Sequence, residues 1–319
     1  MAAGLGTRLS PITDHMPKPL VPVANRPALE LLLARLPAAG VTEVAINVHH
    51  HGDAVRAAFG DGSRLGLQIH WSYEPELLGT AGGAGPVADF LRAPGEPFLV
   101  LSGDGLHAID LAGLARRHRE AQAVGTLTVL EIDDPSRFGV CVLDDAGVIT
   151  AFQEKPALAD ALSHWASCGV YCFEPRVLDR LPPGRFYDWA KDVLPAMMAD
   201  GDRLAAYQTD AYWSDIGTVA DLLRANLDCV SGALGLGAGE GIDETADVDP
   251  SAIIEGPVAI GAGASVGADV RITGPVAIGA GSSVGAGAAL RDAVVLPRSV
   301  VAPGAIVLGG IVGDIATLA

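Results

Sequence analysis

Basic charge is scarce in this sequence. It has 21 lysines and arginines against 38 aspartates and glutamates, a net charge of -17. Sequence-independent nucleic-acid binding needs a basic footprint, and so does adhesion to an anionic membrane, so both are excluded as main functions. A nucleotide is not excluded, because a few local cations and a metal ion can hold a triphosphate. No apolar run is long enough to span a bilayer, and the start lacks a signal-peptide pattern. The four cysteines (Cys141, Cys168, Cys172 and Cys229) show neither zinc spacing nor a paired framework. They read as reduced thiols, which gives the expectation of a cytoplasmic protein. Histidine is absent after His164.

The 319 residues are enough for two domains with sizeable cores. The first residues carry the strongest signal. Positions 2 to 11 read Ala-Ala-Gly-Leu-Gly-Thr-Arg-Leu-Ser-Pro, and Pro17-Lys18-Pro19-Leu20 follows. A glycine-rich loop presents backbone N–H groups that no side chain screens, and such loops cradle phosphates. Arg8 can fork onto phosphate oxygens, and Lys18, flanked by prolines, is a second fixed cation.

Apolar spacing predicts a helix over 26–39, strands over 41–48, 67–73, 97–101 and 126–132, and helices over 53–59 and 218–230. Strands alternating with helices predict a mostly parallel sheet. The strand over 97–101 runs into Ser102-Gly103-Asp104. Ligands of open α/β sheets collect at the carboxyl ends of strands, where a carboxylate can hold Mg²⁺. On the dipeptide alone, Asp104 is equally an ordinary turn residue. In Leu78-Gly79-Thr80-Ala81-Gly82-Gly83, preceded by Glu74 and Glu76, small residues let a flat base approach the backbone. Asp215 is either a metal ligand or the N-cap of the helix over 218–230. His49, His50 and His51 are adjacent and cannot all face one metal, so they read as a surface loop. Cys168 and Cys172 read as packing residues.

From Gly4 through Lys18 the sequence resembles the signature of the sugar-1-phosphate nucleotidylyltransferases, and later segments extend the resemblance over nearly the whole chain. It implies a Rossmann-like, mostly parallel mixed sheet in a nucleotidyltransferase domain over 1–230. In the family a short apolar strand precedes this loop. Only three residues do so here, and the expectation is a start assigned downstream of the natural one. The resemblance implies that Ala2, Ala3, Gly4, Gly6, Thr7, Arg8, Gly79, Thr80 and Gly82 bind the nucleotide. Arg8, Lys18 and Asp104 would be catalytic, and Asp104 and Asp215 would hold Mg²⁺. Phe152-Gln153-Glu154-Lys155-Pro156 resembles the family's Glu-Lys-Pro segment, in which Glu takes sugar hydroxyls and Lys the sugar phosphate. Gly139, Glu154, Lys155, Ser167 and Gly169 are thereby assigned to the sugar phosphate. Ser167-Cys168-Gly169-Val170-Tyr171 departs from the family's Asn-Ala-Gly-Ile-Tyr at its first residue.

Beyond a Gly/Ala/Leu-rich linker over 231–245, aliphatics recur every six residues, at Val248, Ile254, Ile260, Val266, Ile272, Ile278, Val284, Leu290 and Leu296. Ala302 and Leu308 extend the series. Residues 254–271 and 272–289 agree at 13 of 18 positions. Such a period is a β-helix signature, three hexads to a triangular turn, and it predicts one over 246–319. The left hand is implied by the resemblance alone. Acyltransferases built on this repeat usually rely on a histidine base, which this tail lacks, so the tail reads as structural, with homo-oligomer contact its expected role.

The resemblance implies transfer of a nucleotidyl group from an NTP to a sugar 1-phosphate, releasing pyrophosphate. It is nearest to mannose-1-phosphate guanylyltransferases, which implies GTP and mannose 1-phosphate. Glucose-1-phosphate uridylyl- or thymidylyltransferases and heptose-type enzymes are the alternatives. A non-catalytic nucleotide-sugar-binding subunit is a reading of another class, which loss of the phosphate-loop cations or metal carboxylates would favour. All four such residues (Arg8, Lys18, Asp104 and Asp215) are present.

Overall fold

The computed structural model describes residues 1–235 and 241–313. The chain divides into two compact units. One comprises Met1–Gly4, Ala34–Gly105 and Ile109–Trp213, the other Leu5–Leu33, Leu106–Ala108 and Ser214–Ala319.

The first unit is α/β. Strands β1 (Glu43–Val48) and β2 (Gln68–Tyr73) are parallel, with helix α1 (Gly52–Phe59) between them. Strands β3 (Phe98–Leu101) and β4 (Gly125–Glu131) follow, β4 after helix α2 (Leu111–Ala121). Next come β5 (Gly139–Leu143), β6 (Ile149–Glu154), β7 (Trp165–Phe173) and β8 (Leu204–Thr209). Strand β7 lies between β3 and β4 and runs against both, whereas β8 is parallel to β4. Thus β3, β4 and β8 share one direction and β7 is the reversed strand of a mixed sheet. Strands β5 and β6 form an antiparallel pair, and β5 joins the start of β7. The first five residues of β4 are buried, with Thr126 and Thr128 alternating with Leu127 and Val129, so both faces of the strand are covered. Phe173 stacks on Trp189 beneath this sheet, with ring centroids 4.7 Å apart.

Strand β7 is broken by a bulge. Ser167 pairs with Val129 and Tyr171 with Leu127, so four steps on β7 meet two on β4. Gly169 takes up the difference at φ 68°, a left-handed conformation that suits glycine.

In the second unit, the helix expected over 26–39 is shorter. Arg26–Pro27 pairs as a strand with Pro22–Val23, and the helix is confined to Ala28–Leu33. Ala24 and Asn25 have positive φ in the turn between these strands, which is why the chain cannot enter the helix at Arg26. Helix α3 (Val219–Val230) holds the turn, with Asn226 Oδ1 accepting from the Ala24 N–H at 2.8 Å.

The tail is a parallel β-helix whose described strands begin at Gly241–Ile242. Ile254 pairs with Ile272 and Ile272 with Leu290, one turn being 18 residues. Inward aliphatics stack in columns, such as Val248, Val266, Val284 and Val301. The hexad series is corrected after Leu290. Between Thr273 and Val276 lie two residues, but between their partners Arg291 and Ala293 lies only Asp292. The missing residue shifts every later inward position by one, since neighbouring strand residues face opposite sides. Val301 and Val307 therefore stand where Ala302 and Leu308 were expected in the stack, and Ala302 and Leu308 are exposed. Residues 236–240 of the expected linker and 314–319 of the expected β-helix lie outside the described residues.

Among the described residues no helix is long and apolar enough to cross a membrane. Cys141, Cys168, Cys172 and Cys229 are buried thiols outside any disulfide among the described residues. Burial pushes Cys141 and Cys172 up to about 12 and Cys229 to about 11, which leaves them unreactive packing groups.

Candidate active site

The glycine-rich loop turns on Gly6. At φ 70° it precedes a 3₁₀ turn, Thr7–Leu9, and its carbonyl accepts from the Leu9 N–H and the Thr13 hydroxyl, both at 2.8 Å. A methyl group at Gly6 would lie 3.0 Å from Thr13 Cγ2 and 3.1 Å from Lys18 Cβ. The loop thus packs directly on the Lys18 stem, and Lys18 itself is half-buried. Gly4 is exposed, with open space where a Cβ would be.

Arg8 and Asp215 border one glycine. A Cβ at Gly217 would sit 3.1 Å from Arg8 Nη1 and 3.0 Å from Asp215 Oδ2. Asp215 does not cap the helix that follows. Thr218 does, its hydroxyl oxygen accepting from the Asp221 N–H at 3.2 Å and its O–H donating to Asp221 Oδ2 at 2.8 Å. A cation and a carboxylate therefore both lie beside a residue that has no side chain of its own.

In the first unit Asp104 sits in the turn after β3. The Ser102 hydroxyl donates to its Oδ1 at 2.5 Å, and the Ser102 N–H donates to the Gly169 carbonyl at 3.0 Å. The β7 bulge, read from the sequence as part of the sugar-phosphate group, is thus also the support of the Asp104 turn. The Gly103 N–H donates to Met1 O at 2.7 Å, and a methyl group there would lie 2.6 Å from that oxygen.

Gly139 and Glu154 are partners across β5 and β6. A methyl group at Gly139 would strike the Phe152 ring at 2.5 Å, so glycine keeps this wall low beside Glu154. Lys155 has φ 49°, its N–H donates to the Phe138 carbonyl at 3.1 Å, and its Nζ lies 3.4 Å from Glu154 Oε1. The turn projects Lys155 into solvent while Glu154 stays half-buried. Ser167 is buried, and its hydroxyl donates to the Tyr171 hydroxyl at 3.3 Å. Burial pushes the Tyr171 phenol up, so it stays protonated.

The segment Leu78–Gly83 is folded on its neighbour Tyr187. Ala81 and Gly82 N–H donate to the Tyr187 carbonyl at 2.9 and 3.0 Å, and the Tyr187 N–H donates to Leu78 O at 2.8 Å. Gly79, at φ 79°, would place a methyl group 2.5 Å from that same carbonyl oxygen. The Thr80 hydroxyl donates to Asp188 Oδ2 at 2.8 Å and accepts from the Trp189 N–H at 3.0 Å. Both bonds shape the segment. Ala2 and Ala3 lie in the same unit, Ala3 buried and the Ala2 N–H on Asn47 Oδ1 at 2.8 Å.

The structure therefore gathers Gly6 with Lys18, Arg8 with Asp215, Asp104 with Gly169, and Gly139 with Glu154 and Lys155. It turns the hydroxyls of Thr80 and Ser167 toward protein partners. Sequence reading missed Ser102, Thr13 and Asn47. Asn47 alone carried a signal, as a polar residue inside the apolar run Val44-Ala45-Ile46-Asn47-Val48.

The model of the nucleotidyl transferase family matches residues 1–232, the stretch that holds every one of these groups. The chain belongs to that family. Among relatives, a UTP–glucose-1-phosphate uridylyltransferase from Synechocystis is 35% identical, the match covering 96% of this chain and 84% of that protein. A mannose-1-phosphate guanylyltransferase from Mycobacterium tuberculosis is 38% identical, covering 85% and 76%. A crystal structure from Bacillus anthracis, described as a glucose-1-phosphate thymidylyltransferase, superposes with a TM-score of 0.63 at 26% identity. That match covers 70% of this chain and 91% of the other. As a nucleotidyl transferase, the chain is an enzyme.

Proposed function

We propose that this nucleotidyl transferase joins an NTP to a sugar 1-phosphate, forming an NDP-sugar and pyrophosphate, with GTP and mannose 1-phosphate as the preferred pair. What carries the reading is the retention of Arg8, Lys18, Asp104 and Asp215, together with the relatives on either side of the choice. The sugar phosphate oxygen attacks the α-phosphorus in line with the leaving pyrophosphate. No protein nucleophile is required, and the work is positioning and charge neutralisation.

The loop from Ala2 to Arg8 receives the triphosphate, and Lys18 steadies the phosphates near the reacting centre. Small residues at Gly79 and Gly82 leave room for the base. Glu154 accepts from sugar hydroxyls and Lys155 binds the sugar phosphate, with Gly139, Ser167 and Gly169 around them. The donor set fits a divalent ion, since Asp104 and Asp215 offer the hard oxygen ligands that Mg²⁺ takes. When bound, Mg²⁺ supplies charge for the developing pyrophosphate. Val300, Ile306 and Leu308 are exposed on the last described coil of the β-helix, which favours a homo-oligomer contact there.

UTP with glucose 1-phosphate is the second reading, favoured by the uridylyltransferase that matches 96% of the chain. Initial rates with GTP and mannose 1-phosphate against UTP and glucose 1-phosphate, in Mg²⁺, decide between them. A higher kcat/KM for the first pair supports the preference stated here, and a higher value for the second reverses it.

A further inference from the structure

Two segments assigned above to the nucleotide are joined by one buried carboxylate. Glu74 follows β2 and is 1% exposed. Its Oε1 accepts from Asn47 Nδ2 at 2.7 Å and its Oε2 from the Leu78 N–H at 2.9 Å. Asn47, inside β1, accepts the Ala2 N–H on its own Oδ1 at 2.8 Å. The Glu74 backbone is fixed as well, its N–H on Val48 O at 2.9 Å and its carbonyl 2.7 Å from His49 Nδ1. Gly83 closes the site, because a Cβ there would lie 2.5 Å from Asn47 Nδ2 and 2.6 Å from Glu74 Oε1.

A single run of hydrogen bonds thus connects Ala2, at the entry to the phosphate loop, with Leu78, at the entry to the nucleobase segment. Burying an ionised carboxylate is costly unless donors meet it, and donors meet both of its oxygens here. The polarity of the run is also fixed. Position 74 only accepts, and position 47 must donate on one side and accept on the other. An apolar pair of the same volume would fill the space without setting the two segments against each other.

We propose that Glu74 and Asn47 are positioning residues that set the spacing between Ala2–Gly4, where the chain enters the phosphate loop, and the nucleobase segment, and so govern affinity for the NTP. This rests on the nucleotidyl-transfer reading and assigns that site a control point two residues wide. Neither residue need touch the substrate.

The test exchanges the two polar groups. Glu74→Gln sets an amide against the Asn47 amide, and Asn47→Asp sets a carboxylate against a carboxylate. The double variant Asn47→Asp/Glu74→Gln restores a donor opposite an acceptor at every step. In it the introduced amide donates to the introduced carboxylate, the amide oxygen accepts from the Leu78 N–H, and the carboxylate accepts from the Ala2 N–H. Each single variant is expected to raise the KM for the NTP about tenfold or more, while KM for the sugar 1-phosphate stays within about twofold. The double is expected within about threefold of the parent KM, a non-additivity that marks direct coupling.

An unchanged NTP KM in folded single variants overturns the proposal, and so does a double variant no better than the worse single. Thermal unfolding of all four proteins separates folding from positioning. Should a single variant not fold, the double still decides, since the proposal requires it to fold and to keep a near-parent KM. If the parent releases no pyrophosphate with any substrate pair, the reaction reading fails instead. Fluorescence titration with mant-GTP and mant-UTP then decides the exchange by the same pattern in dissociation constants.

Discussion

Ser102 and Asp104 form a closed turn in which the serine hydroxyl donates to Asp104 Oδ1 at 2.5 Å while the serine N–H holds the Gly169 carbonyl. One oxygen of the proposed metal ligand is thereby given a fixed direction. Removing that hydroxyl frees the carboxylate to rotate without removing its charge. Ser102→Ala is expected to lower kcat about tenfold and to raise the Mg²⁺ concentration needed for half-maximal rate. Ser102→Thr, which keeps the hydroxyl, should recover most of the loss. A Mg²⁺ titration of initial rates checks both variants.

Gly79 offers a test of the base segment. Its positive φ and the Tyr187 carbonyl 2.5 Å from any added Cβ leave no room for a side chain. Gly79→Ala must move either Leu78–Gly82 or Tyr187, at a cost of about 1–3 kcal/mol. The expected outcome is a lower urea midpoint together with weaker NTP binding, read by equilibrium unfolding and by KM.

The shifted hexads can be checked by contrast. Val301 is 3% exposed within the stack, whereas Ala302 is exposed. Val301→Asp is expected to destabilise the β-helix by about 3 kcal/mol or more, and Ala302→Asp to stay within about 0.5 kcal/mol. A six-residue phase running unbroken to Leu308 would give the reverse order, and thermal unfolding of the two variants separates the cases.

Much of this was legible in the sequence for identifiable reasons. Glu43–Val48 stood out as a largely apolar run, and Gln68–Tyr73 as an alternation of Ile69, Trp71 and Tyr73 with polar residues. The β-helix stood out because each coil repeats the one before it. What stayed hidden was set by contacts distant in sequence. The Ser102 turn gains its support only when the Gly169 carbonyl of the bulge accepts from the Ser102 N–H. The Thr80 hydroxyl has its partner in Asp188, more than a hundred residues on. The shift at Asp292 was hidden because a period of six carried on by chance through Leu296, Ala302 and Leu308, all apolar. Pairing register, which the sequence does not display, decided the phase.

His118 gives a pH dependence. It is buried in α2, with Nδ1 2.9 Å from Thr126 Oγ1 and Nε2 3.3 Å from Glu174 Oε1. Burial lowers its pKa below 6.5; Glu174 opposes the shift and Arg119 adds to it. The unfolded chain therefore binds a proton at a higher pH than the folded one. Stability from this group is complete above pH 6.5 and declines as the pH falls from there toward the lowered value. Urea midpoints should drop between about pH 7.5 and about pH 5.5, and His118→Gln should make that drop smaller.

The central claim is nucleotidyl transfer that depends on Asp104 and Asp215. Its most direct test is pyrophosphate release by the purified protein in Mg²⁺, across a matrix of NTPs and sugar 1-phosphates, for the parent, Asp104→Ala and Asp215→Ala. The account predicts release with a preferred pair by the parent and near-complete loss in each folded variant. Absence of release with every pair, or near-parental rates in either variant, would contradict it.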